Sequence, residues 1–84
     1  MTTLATQITA TTTPSIVVNK ATQYQEITLH STATVYLGGS DVTSSNGFKM
    51  DNGDKFNFTI APNTDLYCVA NSGTPTIFVI ATVL

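Results

Sequence analysis

The feature that most constrains this chain is a rhythm of short extended runs, broken at roughly 8–12 residue intervals by turn chemistry. Residues 24–30 alternate, with Gln25, Ile27 and Leu29 on one face and Tyr24, Glu26, Thr28 and His30 on the other. Residues 55–60 place Phe56, Phe58 and Ile60 opposite Asn57 and Thr59. Residues 66–70 place Leu66, Cys68 and Ala70 opposite Tyr67 and Val69. Shorter runs at 15–18, 33–37 and 48–50 are rich in strand formers. Between them lie Asn19-Lys20-Ala21-Thr22, Ser31-Thr32, Pro62-Asn63-Thr64-Asp65 and Asn71-Ser72-Gly73, all turn-forming. Asp51-Asn52-Gly53-Asp54 reads as a hairpin with a type I′ Asn-Gly turn. Residues 76–83 are almost wholly apolar, as in a strand covered on both faces, either central in a sheet or at a subunit interface. No window carries helical i, i+3, i+4 spacing with caps. The expectation is an all-β fold of about seven strands, a small antiparallel β-sandwich or jelly-roll-like barrel.

Eighty-four residues make one small domain with a thin core. Cys68 is the only cysteine and His30 the only histidine, which removes an internal disulfide and leaves no basis for a structural zinc site. A neighbouring subunit or larger surface is the remaining source of support. Charged residues are only 10% of the chain and the net charge is −2, so Lys20, Lys49 and Lys55 cannot make the basic face that nucleic acid requires. Residues 1–14 have neither the basic nor the apolar region of a signal peptide, and the longest apolar run is too short to span a bilayer. A buried Cys68 fits synthesis in a reducing cytosol.

Residues 1–13 are rich in threonine and contain no glycine. They read either as an extended arm that adds as a strand to a neighbour or as a disordered tail. The domain expectation is therefore an arm over 1–14 and a β-sandwich over 15–84.

Catalytic chemistry is hard to find. Of Glu26, Asp41, Asp51, Asp54 and Asp65, all but Glu26 sit in turns, where Asp serves the backbone. Glu26 and His30 stand ~13 Å apart along a strand, too far for a dyad. Cys68 lies among apolar residues without a base. Asp51 to Asp54 lacks the length, terminal Glu and helices of a calcium loop, although Asp41 could meet Asp51 or Asp54 around a cation. Asn57-Phe58-Thr59 fits a glycosylation sequon by chance. Tyr24, Tyr36 and Tyr67 could line a sugar-binding surface or simply edge the core. The expectation is no enzyme and no cofactor.

One stretch organises the rest. Val35-Tyr36-Leu37 is a strand, Gly38-Gly39-Ser40-Asp41 turns, Ser44-Ser45-Asn46-Gly47 turns again, and Phe48 re-enters apolar surroundings. "VYLGGSDVTSSNGF", followed by "NGDKFNFTIAPNTDLYCVANSG", resembles a short β-rich domain of bacteriophage virion proteins over roughly half the chain. Lys49-Met50-Asp51-Asn52 departs from that family's pattern. The resemblance implies a non-enzymatic virion structural protein. The leading form is a trimeric capsid decoration (cement) protein bound to the major capsid protein and to its own copies. The alternative is a fibre or spike module for a host glycan. Its location would be the virion surface after synthesis in host cytoplasm, with no nucleic-acid or membrane partner. Expected contacts are Leu4, Ile8 and Ile16 for the arm, and Gly38, Gly39, Asp41 and Asn46 in the loop.

Overall fold

The extended runs and their turns resolve into eight strands in the computed structural model, which describes residues 2–84. They are β1 (Thr2–Thr9), β2 (Ser15–Val18), β3 (Gln25–Ser31), β4 (Val35–Gly38), β5 (Phe48–Met50), β6 (Lys55–Ile60), β7 (Leu66–Ala70) and β8 (Thr76–Val83). One antiparallel sheet has the order β1-β8-β3-β6, and the other has β2-β7-β4-β5. Every connection except β4–β5 crosses from one sheet to the other. That is the jelly-roll form of the antiparallel sandwich. No helix is present among the described residues.

Alternation decides what is inside. Ile27 and Leu29 of β3 and Ile77, Val79 and Ala81 of β8 face Val35 and Leu37 of β4, Met50 of β5, and Cys68 and Ala70 of β7. Each large side chain removed from water stabilises the fold by about 1.5–3 kcal/mol. Two buried polar residues are satisfied by backbone: Gln25 donates to Asn19 O at 2.9 Å, and the Ser31 hydroxyl donates to Ala33 O.

Several expectations need correction. Of the expected arm over 1–14, residue 1 lies outside the described residues, and residues 2–14 do not stand apart from the sandwich. β1 pairs along its whole length with β8 of its own chain, and Ala10 enters the core. This accounts for the eighth strand. The turn at residues 51–54 is not a hairpin, because β5 and β6 belong to opposite sheets. Gly53 has φ +83° while Asn52 keeps a negative φ, which is type II geometry, closed by Asp54 N–H to Asp51 O at 3.0 Å. A corner between sheets does not need the strand twist that favours type I′. β8 is central, between β1 and β3, but it is covered on one face only. Phe78 and Ile80 remain 40% and 46% exposed on the outer face.

Candidate functional site

The residues expected to carry chemistry are scattered, and most serve the backbone. Asp65 accepts from Lys20 N–H at 2.7 Å, and Asp54 accepts from Asp51 N–H at 2.9 Å. Lys49 and Asp51 approach to 3.6 Å in open solvent, where a pair contributes little. His30 lies against Phe78 on the outer face of its sheet, ring centroids 5.9 Å apart. Among the described residues no three of His, Cys, Asp and Glu are grouped to hold a metal. The three tyrosines do not gather in one place, although Tyr36 and Tyr67 stand diagonally on one face of neighbouring strands. Tyr24 lies exposed beside the C-terminal Leu84, whereas Tyr36 and Tyr67 sit in the other sheet, paired with Val69 and with Ile16 and Gly38.

Cys68 is fully buried on the inner face of β7. Burial pushes its thiol up from 9.0 to about 11. The folded chain thus holds this proton to higher pH than the unfolded chain does. The resulting stability is complete below about pH 9 and is lost as pH rises towards about 11, a span worth up to about 2–3 kcal/mol. Chemical denaturation at about pH 8 and about pH 10.5 should show a larger alkaline loss in the native chain than in Cys68→Ala.

The loop between β4 and β5 folds back onto its own sheet. Val42 is buried, and it sits where Gly38 and Gly47 lack a side chain. A Cβ on Gly38 would fall 2.9 Å from Val42 Cγ2, and one on Gly47 would fall 2.6 Å from Tyr36 Cβ and 2.9 Å from the Thr43 carbonyl. Gly47 has no positive φ, so the site needs its missing Cβ and not its backbone freedom. Asn46 Oδ1 accepts Thr43 N–H at 2.7 Å, and Gly47 N–H donates to Thr43 O at 2.9 Å. Of the expected loop contacts, Asp41, Asn46 and Gly39 are exposed and Gly38 is half-buried beneath Val42. Gly47→Ala should cost about 1–3 kcal/mol by overpacking against backbone. Gly39→Ala, whose Cβ would meet only Asp41 Oδ1 at 3.6 Å, should be close to neutral. Urea midpoints of the two variants check this.

The sheet edges differ in kind. β1 is a sheet edge of eight residues without a charge or a proline. Such an edge presents unpaired backbone groups to any strand that arrives. Leu4, Thr6 and Ile8 share the inner face with Ala81, Val79 and Ile77, yet Leu4 is 64% exposed and Thr6 is exposed too. At the opposite edge of the same sheet, β6 turns Phe56 and Phe58 inward, where they stay half-buried. A mainly apolar groove of about 550 Å³ opens there, with Leu37, Phe48, Phe56, Phe58 and Leu66 in its lining and Lys55 and Asn57 of β6 beside them. Phe48 is 64% exposed and its ring centroid lies 5.2 Å from that of Phe56. The expected contacts therefore split three ways. Leu4 and Ile8 lie on the β1 edge, Ile16 lies beside Tyr67 on the other sheet, and the loop residues lie over β4. Thr6 and the phenylalanines of the groove were not among the expected contacts, the phenylalanines being expected as core residues. The lack of any charge in residues 2–9 was the one signal available for the edge.

No protein-family model matches the chain, and no curated protein sequence does. A solved structure from work on Bacillus endospore appendages, described as a family of disulfide-linked pili, shares the fold with TM-score 0.67 at 19% identity. The match covers 99% of this chain and 86% of that one. This corrects the virion reading. The neighbour in fold is a bacterial spore pilus protein and not a phage protein, so neither the decoration function nor the virion location stands, and nothing supports a capsid partner. The Gly-rich segment behind that reading has a local explanation in the packing of Val42 over Gly38 and Gly47, a requirement of the loop that specifies no particle.

Proposed function

We propose that this chain is a non-enzymatic structural subunit that assembles with copies of itself into a bacterial surface fibre. The observation that carries this reading is the unguarded eight-residue edge of β1. Natural sheets block such edges with charges, proline, bulges or a cover when association is to be avoided, and none of those is present along β1. Low charge supports the same reading, since copies with a net charge of −2 repel each other weakly. The pilus origin of the neighbour in fold supports the fibre. That neighbour belongs to disulfide-linked pili. Here Cys68 is buried and offers no sulfur to another copy, so joints formed by the described residues are strand pairing and apolar packing.

Sedimentation velocity over a concentration series, with negative-stain electron microscopy of the upper end, tests the proposal. Species that grow with concentration and elongated particles are expected. A closed trimer would give one plateau mass and would keep self-assembly while removing the fibre. A monomer at every concentration would overturn the reading.

A further inference from the structure

We infer that the groove beside β6 is the seat of β1 from a second copy, so that copies join head to tail. The inference rests on the self-assembly reading above and names its joint. Strand direction is the first ground. In the order β1-β8-β3-β6 each neighbouring pair is antiparallel, so the two edge strands of this four-stranded sheet run in opposite directions. A second copy displaced by translation alone therefore lays its β1 antiparallel to β6, the arrangement that adjacent strands here already use. The other sheet, β2-β7-β4-β5, has the same parity, and the same translation brings β2 antiparallel to β5. A two-sided joint between different edges does not close on itself, and it repeats into an open filament.

Side chains are the second ground. A β1 added to β6 extends the inner face that Phe56, Phe58 and Ile60 begin. Its own inner residues are Leu4, Thr6 and Ile8, which would continue that apolar face over the groove containing exposed Phe48. β1 brings no charge to the joint. Lys55 does line the groove, but it stands at the first position of β6 with its Cβ on the outer side, so its ammonium can stay in water at the rim when the groove is covered.

Area is the third. β6 offers six residues, about 20 Å of ladder at ~3.4 Å per residue. A stable pair buries roughly 800 Å² of accessible surface per partner, more than a single strand ladder of that length covers, so the joint has to take in the groove and the neighbouring edge strand β5 as well.

Two single variants test the joint. Thr6→Lys blocks the inner face of β1 and leaves the groove intact, and Phe48→Lys blocks the groove and leaves β1 intact. Both positions are exposed in the lone domain, and circular dichroism melts check that each variant stays folded. Each alone should remain monomeric, while an equimolar mixture should give a 1:1 dimer and nothing larger, because one good joint remains. A third variant, Phe48→Trp, places the only tryptophan of the chain in the groove, and its emission should shift to the blue as assembly proceeds. If Phe48→Lys assembles as the native chain does, or if Phe48→Trp assembles without a shift, the groove is not the joint although self-assembly stands. A dimer formed by Phe48→Lys alone would mean pairing of β1 with β1 and would overturn the head-to-tail order. Failure of the native chain itself to assemble would overturn the underlying proposal.

Discussion

Thr6→Lys is expected to leave the isolated domain folded and to raise the concentration needed for assembly roughly 1,000-fold. Thr6 stands opposite Val79 on the inner side of β1, but at an edge that nothing covers. In a single copy, a lysine there keeps its ammonium in water by reaching past the edge. Once a second strand lies alongside, the ammonium must be stripped of water with no carboxylate to meet it. An unpaired buried charge costs several kcal/mol, and each ~1.4 kcal/mol is a factor of ten in association. Inward-pointing charge is also the device natural edge strands use against pairing. Thr6→Ser, which adds no charge, should assemble like the native chain. Sedimentation velocity reads both variants, and a melt near the native temperature shows that Thr6→Lys acts on association.

Leu29→Ala should be among the most damaging single truncations for the fold itself. Leu29 is fully buried on β3, between Phe56 of β6 and Val79 of β8. Removing its side chain loses transfer free energy and leaves a cavity that the surrounding strands cannot fill, a cost of about 2–5 kcal/mol. Domains of this size hold only ~5–15 kcal/mol in total. A loss of about 3 kcal/mol lowers the melting temperature by roughly 10–20 °C. Phe78→Ala on the outer face of β8 offers the contrast. Phe78 is 40% exposed and touches His30, so its removal should cost about 1 kcal/mol or less. Thermal melts of the two variants at one concentration separate them.

Much of the fold was legible where burial follows alternation. β6, β7 and β8 have the bounds that the sequence pattern predicts, because Phe56 to Ile60 alternates strictly, Leu66 to Ala70 is an unbroken apolar run, and Pro62-Asn63-Thr64-Asp65 and Asn71-Ser72-Gly73 separate the three. Information that depends on a distant partner was not local. The threonines of β1 favour extended backbone in an arm or an edge strand alike, and only the run at residues 76–83, far along the chain, decides that they pair at home. Residues 76–83 looked covered on both faces because Phe78 and Ile80 are as apolar as Ile77 and Val79. Which face lacks a cover follows from the sheet order. The Asn52-Gly53 turn misled for the same reason, since a corner between sheets and a hairpin use the same residues. At the candidate site, Leu4 and Ile8 were visible as apolar residues with nothing nearby to bury them. The groove was invisible, because Phe48 and Phe56 meet only through the crossing of β5 to β6.

Amide hydrogen exchange compared between the dilute monomer and the concentrated assembly tests the central claim most directly. In the monomer, alternate amides of β1 and β6 point away from the sheet and should exchange fast. Assembly should slow those two sets together, while the interior strands β3 and β8 keep the protection they had. An assembly in which the amides of β1 exchange as fast as in the monomer would show that this edge joins nothing.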